Sequence, residues 1–339
     1  MSIRKIAEMT GLSTATVSYA INGSRPVSEQ SRKKVLEAAK AIGYRPNLAA
    51  QFLRTQKSNT IAFVIPTDEG NTNANFFYMD VLVGIQKKLI ETGYDIIVSN
   101  YALSSEHETS LQAVKVCQKQ WVDAVLFVPS SKEACQLEVL RAMDVPFVLI
   151  DRKVDGSGYS YVGSDNESGA YDAVRLLISE GKKRIGFIGG NLNVSSGAER
   201  YSGYLRALAD AGFSCGADYA EITQKHSIER GAECARALLE RKVDAIFVSD
   251  NTLTMGAVIE LNRQHISIPD QVSIIGYDNF DWMDLMTPPL TTVKQQAYQM
   301  GYVAAEMVMR KLNGMDAEEH ITMKTQLILR GSHGKTTKD

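Results

Sequence analysis

From Thr60 onward the chain alternates two hydrophobic patterns. Short, continuous apolar runs come first: "IAFVIP" (61–66), "DIIVSN" (95–100), "AVLFVP" (124–129), "PFVLID" (146–151), "RIGFIGG" (184–190), "AIFVSD" (245–250) and "VSIIGYD" (272–278). Amphipathic segments of helix length lie between most of them. Such runs between helices predict parallel strands buried on both faces, and their number points to two sheets rather than one. "GSGYSYVGSDN" (156–166), rich in Gly and Ser, reads as the crossing between two lobes. "MTPPLTTV" (286–293), broken by prolines, reads as the return.

Before Thr60 the period is helical. Ile3–Glu8 forms a first short helix, and Gly11 permits the turn after it. In "STATVSYAIN" (13–22), Ala15, Ser18, Tyr19 and Asn22 fall on one helical face while Val17, Ala20 and Ile21 fall on the other. Ser13 is placed to cap this second helix. Ser28 is placed to cap a third, whose Val35, Leu36, Ala38, Ala39 and Ile42 form an apolar stripe ended by Gly43. In "YRPN" (44–47), Pro46 stops that helix and Asn47 can cap another. "LAAQFLRT" is then a helix too short to stand alone, coil when free and helical when docked.

The ends of the predicted strands are polar: Thr67-Asp68, Asn100, Ser130-Ser131, Asp151, Gly190-Asn191, Asp250-Asn251 and Asp278-Asn279. Ligands bind outside the carboxyl ends of parallel strands. Each of these residues could equally cap the helix after it, but their recurrence in both lobes favours a shared cleft.

Charge separates the two regions. Residues 1–57 carry a net charge of +7, with ten Lys/Arg against Glu8, Glu29 and Glu37, whereas the remainder carries −9. A basic head on an acidic body suits a polyanion or a solvated basic face. Cys117, Cys135, Cys215 and Cys234 are scattered, which predicts free thiols and no metal site. No apolar run reaches the roughly 18 residues of a membrane span, and "MSIRKIAEMTG" lacks the apolar core of a secretion signal. The expectation is a cytoplasmic protein with no membrane contact. No dinucleotide fingerprint, P-loop, H-E-x-x-H or nucleophile elbow occurs. These absences favour a binding protein over an enzyme, with no cofactor.

The segment "IRKIAEMTGLSTATVSYAINGSRPVSEQSRKKVLEAAKAIGYRPNLAAQFLRTQKSNTIAFVIP" closely resembles the head and hinge of the LacI/GalR family of bacterial transcription regulators. The resemblance continues through "VGSDNESGA", the Arg200 region, "VSDNTLTMGA" and "VSIIGYDN…PPLTTV" and covers essentially the whole chain. It implies a small all-α helix-turn-helix head plus an α/β core of two doubly wound parallel-sheet lobes, like a periplasmic binding protein. The corresponding division is 1–46 for the head and 47–58 for a hinge helix and linker. Then come 59–160 with 290–318 for the N-terminal lobe, 161–289 with 319–332 for the C-terminal lobe, and 333–339 for a tail.

The resemblance makes "STATVSYAIN" a recognition helix in the major groove. Thr14, Ala15, Ser18 and Tyr19 would contact bases, and Ser13, Thr16 and Asn22 phosphates. Tyr19 stands where many members carry Arg. Asn47, Ala50, Gln51 and Leu53 would form the minor-groove hinge, with Leu53 as an apolar wedge and Gln51 in place of a frequent Arg. Asp68, Phe77, Ser130, Asp151, Arg200, Asp250 and Asp278 would bind a small effector. Carboxylates with one Arg suit the hydroxyls of a sugar. The expected protein is a regulator, most simply a repressor. It would work as a homodimer or homotetramer on a pseudo-palindromic operator of double-stranded DNA. The alternatives are a non-sugar effector, a protein corepressor, or a sugar-binding protein without DNA function.

Overall fold

The structure is a computed structural model, and it describes residues 2–22, 25–44, 57–67, 76–102, 122–133, 135–142, 145–156, 158–213, 216–315 and 317–334. The chain divides into two units, Met1–Ser58 and Asn59–Asp339. The expected hinge residues Asn47, Ala50, Gln51 and Leu53, the expected effector residue Asp68, and the side chain of Asn22 lie outside the described residues.

Among the described residues of the first unit, three helices pack around a very small core: α1 (Ile3–Thr10), α2 (Thr14–Asn22) and α3 (Glu29–Ala41). Gly11 ends α1 in the left-handed region, at φ 71°, with its N–H on the Ala7 carbonyl. The Ser13 hydroxyl accepts from the Thr16 N–H at 3.0 Å, and the Ser28 hydroxyl from the Ser31 N–H at 3.3 Å. Both serines therefore cap the helices they precede. The core is Ile6, Val17, Ala20, Val35 and Ala38. Leu36, read as part of the apolar stripe, is exposed, because Val35 and Ala38 already fill the buried face of α3.

The second unit holds two six-stranded sheets. Their strands are β1 (Thr60–Thr67), β2 (Asp95–Ala102), β3 (Ala124–Phe127), β4 (Phe147–Ile150), β5 (Ser160–Ser164), β6 (Ile185–Gly189), β7 (Ala220–Ile222), β8 (Ala245–Val248), β9 (Ser273–Tyr277), β10 (Thr291–Lys294), β11 (His320–Met323) and β12 (Gln326–Ile328). The sheet orders are β11-β5-β4-β3-β1-β2 and β12-β10-β9-β8-β6-β7. Among the described residues every pairing is parallel except β10 with β12. The helices are α4 (Phe76–Thr92), α5 (Cys135–Arg141), α6 (Asn166–Ser179), α7 (Ser195–Asp210), α8 (Ile228–Glu240), α9 (Asn251–Arg263) and α10 (Ala297–Leu312). No helix among the described residues is long and apolar enough to cross a membrane.

The lobe boundaries differ from the expected ones. Residues 161–164 belong to the first lobe, since β5 pairs with β4 and β11. Its Ser and Gly content hid a strand buried at every position. Gly163 is needed there because the Tyr161 hydroxyl occupies the place a Cβ would take, 1.8 Å away. Residues 291–294, read as part of the return and of the N-terminal lobe, form β10 in the second sheet. Residues 320–323, read as C-terminal lobe, pair in the first. The chain therefore crosses between lobes at Asp165, at Gln295-Gln296 and at Lys324-Thr325. His333, read as tail, is buried against the second sheet, with Nδ1 2.8 Å from Thr291 Oγ1.

Candidate functional site

Two regions collect the residues singled out by the sequence. The first is the outward face of α2. Thr14 and Ala15 are exposed at its N-terminal end, and Ser18 and Tyr19 are half-buried further along. Ser13 and Thr16 hydroxyls lie 2.8 Å apart. The Arg25 guanidinium sits over the Tyr19 ring, 5.2 Å from its centroid. The pattern along α2 gave no sign of this contact, because Arg25 lies beyond the helix.

The second is the cleft between the two lobes of the core. Asp151 follows β4 and Asp278 follows β9, both in the left-handed region at φ 68° and 66°. Asp is among the few side chains that tolerate this conformation. Asp151 Oδ2 accepts from the Tyr78 hydroxyl at 3.0 Å and lies 3.5 Å from Arg152 Nε. Its Oδ1 is buried and has no partner among the described residues. Asp278 accepts from Gln295 Nε2 at 2.7 Å and from Asn251 Nδ2 at 3.2 Å. Burial pushes the Asp278 carboxyl up to about 6, against the opposing pull of Arg200 and Gln295.

Arg200 is buried on α7 with its guanidinium 3.8 Å above the Tyr277 ring. Its Nε donates to Asn166 Oδ1 at 2.9 Å and Nη1 to the Ser249 carbonyl at 2.8 Å. Asp278, Asp151 and Asp250 all act on it electrostatically, so the structure brings these four together.

Asp250 is committed differently from the other two carboxylates. Its Oδ1 accepts from the Thr252 and Leu253 N–H groups, capping α9, and its Oδ2 lies 3.2 Å from His226 Nδ1. Burial opposes its ionisation, but His226, the Leu253 N–H and Arg200 outweigh it and hold the carboxyl at about 2. The neighbouring Asn251, read from the sequence as part of a polar strand end but not among the expected effector residues, is the one that reaches Asp278. Ser130 lies three residues past β3, beside the Tyr101 hydroxyl, which donates to the Val128 carbonyl at 2.6 Å. Phe77 packs edge-on against Tyr78 and lines a cavity of about 540 Å³ with Asp278, Gln295 and Ala297. Gln295, another residue the sequence did not flag, is 7 % exposed and its Oε1 has no partner among the described residues. No group of three His, Cys, Asp or Glu among the described residues could hold a metal ion.

The lobes are tied across the cleft. Lys153 Nζ of the first lobe pairs with Glu199 Oε1 of the second at 2.9 Å, and Glu199 Oε2 accepts from Asn166 Nδ2 at 2.9 Å. The Lys153 N–H donates to Ser195 Oγ at 2.7 Å, and the Lys132 N–H to the Asn193 carbonyl at 2.7 Å.

Comparison with known proteins places the chain. Residues 2–47 match the model of bacterial regulatory proteins of the lacI family, and residues 174–333 match a periplasmic binding protein-like domain. The HTH-type transcriptional regulator RegA of Clostridium saccharobutylicum is 31% identical over 335 residues, 98% of each chain. The chain belongs to the LacI family. This regulator is also 32% identical to catabolite control protein A of Priestia megaterium over 316 residues, 92% of this chain and 93% of that one. A solved complex of the transcriptional regulator CelR with cellobiose matches at TM-score 0.75 and 28% identity, covering 98% of this chain and 99% of that one. The Lac repressor dimer bound to operator shares the fold at TM-score 0.86 and 21% identity, covering 98% and 99%. Family membership makes the protein a DNA-binding transcription regulator and not an enzyme. The α1–α2 pair is its helix-turn-helix.

Proposed function

We propose that this regulator is a repressor, acting in the cytoplasm, whose hold on its operator is set by a neutral carbohydrate bound between the two core lobes. The observation that carries the effector class is the pair of buried acceptors left unfilled among the described residues, Asp151 Oδ1 and Gln295 Oε1. A buried acceptor left empty costs about 1–3 kcal/mol, so a ligand that donates to both recovers that energy. Hydroxyl groups donate in this way. A cationic ligand would meet Arg200, and an anionic one would meet Asp151 and Asp278. The complex of CelR with cellobiose is consistent with this class. Asp151, Arg200 and Asp278 make the polar contacts, with Asn251 and Gln295 beside them. Asp250 positions α9, and Phe77 and Ser130 close the site.

The head takes operator DNA along α2, with Thr14, Ala15 and Ser18 at base edges and Ser13, Thr16 and Asn22 at phosphates. Two copies act together on a pseudo-palindromic operator. Phe76, Met79, Val83 and Ile90 of α4 and Ile97 and Val98 of the edge strand β2 are exposed apolar residues suited to a second copy. Their paired hinges, with Asn47, Ala50, Gln51 and Leu53, enter the minor groove. Closing the lobes on effector changes the spacing of the hinges and so the affinity for DNA.

The test is a gel shift with the full chain and with residues 1–57 removed, followed by calorimetry against a panel of sugars, polyols, purines and sugar phosphates. Specific duplex binding that requires residues 1–57, modulated by a neutral sugar, is expected. No specific duplex binding by the full chain overturns the regulator reading. Heat with purines or phosphates and none with sugars overturns the effector class.

A further inference from the structure

Tyr19 is the odd side chain of α2. It is the one large ring on a face otherwise made of small residues. In the structure that ring carries a guanidinium. Arg25 lies over it at 5.2 Å from the centroid. Asn22 ends α2, and Pro26 biases Arg25 away from helical backbone. Arg25 is exposed and pairs with no carboxylate among the described residues.

The geometry has a chemical consequence. A guanidinium stacked on an aromatic ring uses its face and leaves its N–H donors free along its edge. Those donors form the planar fork that matches the two acceptors of guanine in the major groove. Tyr19 cannot present such a fork, since its phenol has one hydroxyl. The same stacking occupies a face that Tyr19 could otherwise lay on a thymine methyl. We propose that Arg25, held in place by the Tyr19 ring, reads one guanine in each operator half-site, and that Tyr19 is a positioning residue and not itself the reader. This rests on the reading of α2 as the helix that lies on operator DNA. It restores from outside the helix a guanidinium that Tyr19 displaces within it.

The experiment selects bound sequences from a pool of random-sequence duplexes with the full chain and with R25A, Y19F, Y19A and Y19A/R25A. Affinities are then measured on the duplex that the wild type enriches. Both positions are at the surface of the head, and the melting of each variant checks that the head stays folded. The proposal expects R25A to lose preference at one position per half-site and to bind about tenfold more weakly. Y19F keeps the ring and should keep the wild-type profile. Y19A should reproduce the loss seen with R25A, and the double variant should be no worse than either single variant. An unchanged profile in R25A, or a uniform loss at every sequence, overturns the proposal. So does a shift in Y19F equal to that in Y19A, which would make the hydroxyl the reader. If the wild-type chain enriches no sequence at all, the operator reading falls and this proposal with it.

Discussion

Asp151 and Asp278 occupy the same place in the two lobes. Each stands one residue past the strand that lies third in its sheet order, each has a left-handed backbone, and each still donates its N–H to the next strand, at 2.9 Å to Val162 and 2.8 Å to Val293. The chain has built one wall of the cleft twice. The surroundings then separate the two carboxylates. Among the described residues Asp151 keeps one oxygen unfilled, while Asp278 receives amide donors on both. One is an open acceptor and the other an anchored one.

The anchored carboxyl should set part of the pH dependence of stability. Asp278 is raised to about 6 from 3.8. Between those values the folded chain holds a proton that the unfolded chain has released, so stability falls as pH rises through the window. Asp250, held at about 2, titrates below it. Asp278→Asn tolerates the left-handed backbone and removes the buried charge. We expect the urea midpoint of the core, followed by tryptophan fluorescence, to lose pH dependence between about 4 and 6. At pH 8 the variant should exceed the wild type by about 1 kcal/mol or more. Parallel slopes in the two proteins would show that Asp278 is not the group responsible.

Helix packing in the first lobe depends on two glycines that face each other. A Cβ on Gly84 of α4 would lie 1.9 Å from the Tyr298 carbonyl oxygen of α10, and a Cβ on Gly301 would lie 1.9 Å from that of Val81. In an open helix Gly→Ala stabilises by about 1 kcal/mol. Here the backbones must separate, and overpacking of this kind costs about 1–3 kcal/mol. Gly84→Ala should therefore lower the urea midpoint of the core, and a raised midpoint would mean the helices are free to part.

The parts of the molecule that were legible in the sequence are those where one residue type has one local use. Ser13, Ser28 and Gly11 mark helix ends because their side chains, or lack of one, answer a local backbone demand. The long apolar strands were legible because burial on both faces leaves no polar alternation. β5 was not, since Ser160, Gly163 and Ser164 are buried by their neighbours and not by their own hydrophobicity. The cleft was half legible. Asp151, Arg200 and Asp278 sit at predicted strand ends or in a family motif, whereas the sorting of Asp250 from Asn251 depends on which one turns back to cap α9. Gln295 and Arg25 matter through contacts made after the chain folds back, which no local pattern encodes.

The head should unfold separately from the core. Its buried set is Ile6, Val17, Ala20, Val35 and Ala38, too little apolar volume to absorb a loss. Val17 is fully buried and its side chain points away from the face proposed to meet DNA. Val17→Ala should cost about 2 kcal/mol. Calorimetry should show the transition of the head moving down while that of the core stays in place. A shift of both transitions together would mean that the two units melt as one.

Closure of the cleft gives a test at single amides. The link between Lys153 and Glu199 joins the lobes, and Glu199 also holds Asn166, which in turn receives Arg200 Nε. The pair is partly exposed, with side chains 38% and 24% accessible, so its worth is about 1 kcal/mol or less. That is small against the stability of the core but not against a lobe equilibrium of similar size. The N–H groups of Lys153 and Lys132 both donate across the cleft, and their hydrogen exchange reports opening directly. Glu199→Ala should speed exchange at both amides by up to about fivefold, with the amides of β4 unchanged. Glu199→Gln keeps an acceptor for Asn166 but loses the charge. It should give the same opening at low salt, with Arg200 still held and ligand affinity closer to wild type than in Glu199→Ala. Wild-type protection should also weaken as salt rises, and that of Glu199→Gln should not. Unchanged exchange in both variants would assign closure to the two backbone links alone.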